Sequence, residues 1–380
     1  MRIALFTECY RPIVNGVVVS VCTFAGELRK LGHKVQIVAP DYPGYSDTES
    51  DVHRLPSVSL PTRPRYPLAL PYTGYRLRRL FREQPPDIIH VQHPFACGRE
   101  GRRWARRLGC PLVFTYHTLI RAYAHYVPLP GFLVRAAAVR VSRDFSNSTD
   151  WVIVPTSGVA GVLRGYGVRR PIEAIPTGVD LDLIRNGERK PVRGRLGIPE
   201  GGPLIAYSGR IAKEKTLETV IEALGVLAER GSEAHLVLVG GGPWEDKCRA
   251  LAERLSIGDR VHVTGYLARE EVFDWLAESD VYCFPSLTDT QGVAVLEAMA
   301  MGCPPVAVRS GAVEDVIREG VDGLLVEPSA EAVAEGLGRL LGDNELRRRF
   351  AGQARLRAED FAAGRMAERL VAVYERLLGC

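Results

Sequence analysis

No apolar run in this 380-residue chain approaches the ~20 residues needed to cross a bilayer, so a helical membrane span is not expected. Met1 leads straight into the strand-like RIALF without a signal-peptide pattern, and the expected compartment is therefore the cytoplasm. The eight cysteines (9, 22, 97, 110, 248, 283, 303 and 380) form no CxxC pair, and several stand inside apolar stretches, which argues against disulfides and a metal cluster. No GxGxxG follows the first strand of either half, which lowers the case for an NAD or FAD enzyme. No His/Cys/carboxylate cluster has ligand spacing, and Asp180-x-Asp182 sits in the turn PTGVDLDLI, so neither metal nor cofactor is expected. The basic residues come with no recognised DNA- or RNA-binding motif, and nucleic acid is not an expected partner.

What is present is enough apolar material, 46% of residues, for two sizeable cores. Charge is divided unevenly between them. Residues 1–190 carry 27 Lys and Arg against 15 Asp and Glu, or +12, and residues 191–380 carry 22 against 30, or −8. Nine arginines and a single acid, Glu100, lie between Arg99 and Arg143, interleaved with Trp104, Phe114, Tyr116, Tyr123, Tyr126, Phe132 and Leu133. A charge run of this kind is ordinarily a solvated face. Interleaved with aromatics it also suits an anionic membrane surface, with Arg102, Arg103, Arg106 and Arg107 on headgroups and Tyr10, Tyr123 and Tyr126 on the acceptor side.

The chain opens the same kind of unit twice. RIALF, a turn with Pro12 and Gly16, a helical stretch and KVQIVAP form the first; LIAYSG, a basic loop, TLETVIEALGVLAERG and HLVLVGGGP form the second. Each reads as βαβ opening a parallel, doubly wound sheet. Strand and helix patterns alternate onward to about residue 328, and residues 345–380 read as helix. The charged, irregular run at 184–202 separates the two series. The expected organisation is therefore a first domain over 1–183, a linker over 184–198, a second domain over 199–358 and a terminal helix over 359–380.

TDTQGVAVLEAMAMG at 288–302 sets Asp289 and Glu297 eight residues apart across a helix start that follows the strand-like VYCFP. Backbone N–H groups at a helix start favour phosphate, and carboxylates beside them can accept hydrogen bonds from vicinal hydroxyls. Upstream, SGRIAKEK at 208–215 places Arg210 and Lys215 in a loop between strand and helix, suited to the charge that grows on a departing diphosphate. A capped helix and a solvated basic loop are the plain alternatives for these two segments.

Asp289-x7-Glu297 with Ala298, Met299, Ala300 and Gly302, and the GR-x4-K element at Gly209, Arg210 and Lys215, resemble the signatures of the retaining family-4 glycosyltransferases. The first residue of the downstream element is usually Glu, and Asp289 is a shorter variant. The resemblance implies the α/β GT-B architecture, two Rossmann-like doubly wound domains facing a central cleft, with the last helix crossing back to the first domain. It implies that Arg210 and Lys215 stabilise the leaving diphosphate, that Glu297 holds the ribose, and that Asp289 and backbone around Gly292 orient the sugar. Tyr266, in VTGYL, would line the base pocket; Gly16 would bring backbone N–H groups to the distal phosphate; His117 would lie beside the donor sugar. His93 and His125 take weaker acceptor-side assignments.

The function so implied is transfer of a hexose, glucose first, from a UDP- or GDP-linked sugar to a membrane lipid such as diacylglycerol by a peripheral enzyme on the inner membrane face. TDTQG with YHTLIRAYAHYVP is most similar to bacterial diacylglycerol glucosyltransferases, whereas YRPIVNGVV also occurs in GDP-mannose-dependent mannosyltransferases. Mannosyl transfer to a lipid or soluble acceptor and sugar-nucleotide epimerisation stand as the alternatives. Oligomeric state is left open.

Overall fold

The computed structural model describes residues 1–13, 15–60, 63–70, 74–120 and 130–379. The chain divides into two compact units, Met1–Gly178 with Ala363–Cys380, and Val179–Ala362.

Unit 1 contains strands β1 (Arg2–Phe6), β2 (Lys34–Pro40), β3 (Val52–Leu55), a hairpin of β4 (Ser57–Leu60) and β5 (Arg63–Ala69), then β6 (Ile88–Val91), β7 (Leu112–Thr115), β8 (Trp151–Val154) and β9 (Ile172–Ala174). Its helices are α1 (Gly16–Lys30), α2 (Gly74–Glu83), α3 (Ala96–Leu108), α4 (Gly131–Ser146) and α5 (Ser157–Gly165). The main sheet runs β3-β2-β1-β6-β7-β8-β9. Every neighbouring pair is parallel. Ile3, Ala4, Leu5 and Phe6 are all buried, because a central parallel strand is covered on both faces and must be apolar throughout. One face packs Phe6, Val91, Phe114, Trp104 and Phe145 together.

Unit 2 holds α6 (Leu181–Asn186), β10 (Leu204–Ser208), α7 (Leu217–Glu229), β11 (His235–Val239), α8 (Glu245–Arg254), β12 (Val261–Val263) and α9 (Arg269–Glu278). It continues with β13 (Val281–Phe284), α10 (Val293–Met301), β14 (Pro305–Val308), β15 (Leu324–Val326), α11 (Ala330–Gly342) and α12 (Asn344–Glu359). The sheet order is β12-β11-β10-β13-β14-β15. It too is parallel throughout. One core includes residues of α7, α8 and α11, the other residues of α6, α9, α10 and α12.

The last helix, α13 (Ala363–Leu378), belongs to unit 1. Met366, Leu370, Val373 and Tyr374 enter the core face that also holds Val21 and Leu28 of α1. Tyr374 additionally bonds His90 in mid-β6, its hydroxyl 2.6 Å from Nδ1, while Nε2 lies 2.6 Å from Thr115 Oγ1.

The segment expected as a linker, 184–198, is instead a folded part of unit 2. Ile184, Val192 and Ile198 are buried in its core. Arg193 donates to Gly202 O at 2.6 Å and to Glu278 O at 2.6 Å. Charge and Gly/Pro content suggested a free connector, but the arginine is paired and the sparse aliphatic residues are the ones that pack. The chain enters unit 2 between Gly178 and Val179 and leaves it between Ala362 and Ala363, and Val179 N donates to Phe361 O at 2.9 Å.

Candidate active site

Ligands of doubly wound sheets sit where the strand order reverses, outside the carboxyl ends. In unit 2 that place is between β10 and β13. Loops 209–216, 240–243 and 285–292 converge there through close backbone contact. Gly209 N donates to Val239 O at 2.9 Å and Ile211 N to Gly241 O at 3.0 Å. A β-carbon on Gly240, at φ +144°, would stand 1.9 Å from Gly209 O, and one on Gly242 would stand 2.2 Å from Ile211 O. Glycine is therefore what allows the two loops to meet. Thr216 Oγ1 donates to Pro285 O at 2.6 Å, and Thr288 Oγ1 to Glu214 O at 3.0 Å, tying the basic loop to the loop before α10.

These ties bring two predicted residues into direct contact: Lys215 Nζ lies 2.5 Å from Asp289 Oδ1, with both side chains largely buried. Asp289 Oδ2 is buried and makes no hydrogen bond among the described residues. An orphaned acceptor of this kind is costly unless a ligand hydroxyl serves it. Arg210, in the same loop, is 46% exposed and 3.9 Å from the buried Glu214 carboxylate, so its guanidinium is accessible to an anion. The N-terminus of α10 has no side-chain cap, Gly292 being its N-cap residue. Its first N–H groups add a positive end to the same place.

Glu297 stands just over one turn into α10. Its Oε1 accepts from Arg269 Nε at 3.2 Å and Nη2 at 2.8 Å. Burial raises the Glu297 carboxyl above the ordinary range, opposed by the charge and hydrogen bonds of Arg269. Arg269 carried no sequence signal: it opens α9, 28 residues before its partner, and tertiary packing alone joins them. Tyr266 is 65% exposed, and its ring is what a β-carbon on Gly241 would meet, at 3.1 Å. Asp180 of the Asp180-x-Asp182 pair caps α6, Oδ1 accepting from Leu183 N at 3.0 Å. Among the described residues no three His, Cys, Asp or Glu side chains gather as a metal site would require.

Unit 1 reverses between β1 and β6. Gly16 opens α1, capped by Asn15 Oδ1 accepting from Val18 N at 2.9 Å, and a β-carbon there would meet nothing within 4 Å. Internal packing therefore does not demand glycine at 16. His117 Nε2 donates to Gln92 Oε1 at 2.7 Å, and its ring is 6.2 Å from that of His93. Burial pushes the His93 pKa down to about 4 and holds His117 well below the usual imidazole value, with His93 and His90 adding to the effect at His117. Both rings are thus neutral near pH 7. Glu8 escaped the sequence reading. Its Oε1 accepts from Cys97 N at 2.6 Å at the start of α3, where Phe95 offers no cap, and its own N–H donates to His93 Nδ1 at 3.3 Å. Position alone, directly after β1 and β6, was the available signal for Glu8 and Gln92.

The surface assignments change in part. Tyr10 is 1% exposed, its hydroxyl donating to Glu49 at 3.4 Å and its ring beneath Arg54. It is a core residue rather than an acceptor-side one, because the loop before β3 folds over it. Arg102 turns inward, donating to Ser148 Oγ at 3.0 Å and packing on Phe145. Trp104 is buried in the core, while Arg103, Arg106 and Arg107 remain exposed on α3. Phe132 and Leu133, at the start of α4, are 65% and 52% exposed. Tyr123, His125 and Tyr126 lie outside the described residues. No described helix is long and apolar enough to cross a membrane.

Residues 14–183 match Glycosyltransferase Family 4 and residues 188–357 match Glycosyl transferases group 1. The chain is 32% identical to an alpha-monoglucosyldiacylglycerol synthase of Streptococcus pneumoniae, across 86% of this chain and 75% of that one. It is 30% identical to a GDP-mannose-dependent alpha-mannosyltransferase of Mycolicibacterium smegmatis, across 100% and 98%. Among solved structures, sucrose-phosphate synthase from Thermosynechococcus elongatus superposes with a TM-score of 0.82 at 22% identity, covering 100% and 99% of the two chains. Anabaena HepE in complex with UDP gives 0.78 at 18%, covering 99% and 100%, and both likenesses speak for the fold. With its two parallel sheets and its matched sequence, the chain belongs to the family-4 glycosyltransferases of the GT-B fold.

Proposed function

We propose that unit 2 binds a nucleoside diphosphate hexose and that the enzyme transfers the hexose, with retained configuration, to the hydroxyl of a membrane lipid such as diacylglycerol. The observation that carries the donor half is the Lys215–Asp289 contact at the strand reversal, with Arg210 accessible beside it and the second oxygen of Asp289 unserved. A cation and a carboxylate so joined suit the junction of a diphosphate and a sugar. Lys215 and Arg210 stabilise charge on the departing phosphate, and Asp289 Oδ2 accepts from a sugar hydroxyl. In the reaction the bond from the anomeric carbon to the phosphate oxygen breaks, a bond from that carbon to the acceptor oxygen forms on the same face, and the acceptor proton passes to the departing phosphate. No protein nucleophile is needed. Glu297 takes the ribose, Tyr266 the base, backbone around Gly292 the sugar, Gly16 the distal phosphate, and His117, neutral, stands beside the donor sugar.

Support for the lipid acceptor comes from the glucosyldiacylglycerol synthases among the relatives and from the exposed Arg103, Arg106 and Arg107 with the exposed Phe132 and Leu133. Such a surface suits peripheral attachment to an anionic leaflet on the cytoplasmic side. Full-length similarity to a GDP-mannose-dependent alpha-mannosyltransferase supports a second reading, with a mannosyl donor. Purified enzyme incubated with UDP-glucose or GDP-mannose, and with diacylglycerol in vesicles or a soluble sugar acceptor, separates them by product. Glycolipid from UDP-glucose is expected; product on the soluble acceptor alone overturns the lipid assignment.

A further inference from the structure

The ribose carboxylate does not stand by itself. Arg269 places both Nε and Nη2 on one oxygen of Glu297, Oε1, and no described residue bonds Oε2. The Arg269 guanidinium is itself fixed, with its central carbon 5.6 Å from the centroid of the buried Phe273 ring. Its position at the first residue of α9 places it directly after the loop that bears Tyr266. One side chain therefore connects the element assigned to the base with the carboxylate assigned to the ribose.

We infer that Arg269 is a positioning residue for donor capture: it occupies one oxygen of the Glu297 carboxylate and leaves the other as the acceptor for the ribose diol. This rests on the nucleoside diphosphate reading of unit 2. A carboxylate free to rotate would offer the diol either oxygen in many orientations, whereas one pinned by a two-pronged guanidinium presents a single acceptor edge. Arg269 also favours the ionised form of the group in a buried place. Burial alone drives the Glu297 carboxyl toward protonation, and Arg269 is the charge opposing it. From β13 the titratable neighbour is Tyr282, whose hydroxyl bonds at Ser208. Of the charged groups on α6 and α12, Arg185, Arg355 and Glu359 gather around Ala300 and Met301 at the far end of α10.

The sign of the pH dependence follows. Ribose affinity is present while Glu297 is ionised and is lost as pH falls through its pKa, so removing Arg269 moves that loss to higher pH. The experiment is calorimetry with UDP and with GDP at pH 6 and pH 8, on the unaltered enzyme and on Arg269→Ala, Arg269→Gln and Arg269→Lys, each checked for folding by circular dichroism. Arg269→Ala is expected to weaken binding roughly 10-fold or more at pH 8 and further at pH 6, as loss of a charge-assisted hydrogen bond does. Arg269→Lys should recover part of the affinity, and donor KM should rise with kcat within a few-fold. Arg269→Gln, which keeps a neutral amide donor, carries the same reading if the alanine variant does not fold. Equal affinity of Arg269→Ala or Arg269→Gln and the unaltered enzyme at both pH values overturns the role of Arg269 alone. If the unaltered enzyme binds neither nucleotide, the donor reading falls and this inference falls with it.

Discussion

In unit 2, the segments beyond the strand reversal are joined by charge, Lys215 to Asp289 and Arg269 to Glu297; in unit 1 the corresponding place holds two neutral imidazoles and a carboxylate spent on capping α3. The reversal occurs at the same point in both strand orders. Yet the half of the sequence with net charge +12 builds the crevice of neutral imidazoles, and the half with −8 offers the cations. Net charge therefore describes surfaces. The chemistry of a site depends on which few side chains the loops carry inward.

The largest test breaks the charged side. Arg210→Ala and Lys215→Ala are each expected to lower kcat/KM by roughly 100-fold or more, as removal of a transition-state charge stabiliser does. Folded variants with near-normal turnover would take the diphosphate away from this loop.

On the imidazole side, acid should act through the buried rings. Burial lowers His90 to about 3 and His93 to about 4, from 6.5, so the unfolded chain binds more protons than the folded one below about pH 6.5. Stability falls as pH drops from there toward 4, each histidine contributing up to about 1.4 kcal/mol per pH unit, or tenfold in the unfolding equilibrium. Denaturant titrations of the enzyme and of His93→Gln between pH 7 and 4 check this. An unchanged slope would show that His93 already titrates in the native state.

Asp289 and Glu297 divide the charged side further. Glu297→Gln should weaken binding of the free nucleoside diphosphate about tenfold, while Asp289→Asn should leave it within a few-fold and act on use of the sugar nucleotide. Titration calorimetry with the reverse order would exchange the two roles.

A several-fold effect per arginine is expected at the surface. Sedimentation with vesicles should rise with anionic lipid, fall with salt and drop when Arg103, Arg106 and Arg107 are changed to Ser, each basic residue contributing about 1 kcal/mol near such a surface. Equal recovery on neutral vesicles would return these arginines to an ordinary solvated face. The smallest expected effect is none: activity should persist in EDTA, because Arg210, Lys215 and the start of α10 carry the phosphate charge. Loss of activity restored by a divalent ion would require a metal on the charged side.

The parallel, doubly wound class was legible because buried parallel strands print themselves as short apolar runs such as LIAYS and VYCF. Lys215 and Asp289 were legible as types in loops after strands, although their mutual contact was not, since 74 residues separate them. Arg269 is one arginine on a helix full of charge, and only packing selects it. Tyr10 misled for a related reason: a tyrosine beside Arg11 in the loop after β1 does not say whether a later loop will cover it. The 184–198 run misled because its Arg193 finds carboxylates at Glu278 and Asp280, some 85 residues away, which composition does not register.

The bond between His90 and Tyr374 spans 284 residues. Unit 2 is in effect an insertion in unit 1, and during synthesis the first 178 residues leave the ribosome with one face of their sheet only partly covered. Met366, Leu370, Val373 and Tyr374 arrive only after all of unit 2 has been made. The nascent chain must therefore finish its second unit before its first, and for that interval it carries the apolar surface that invites chaperones or aggregation.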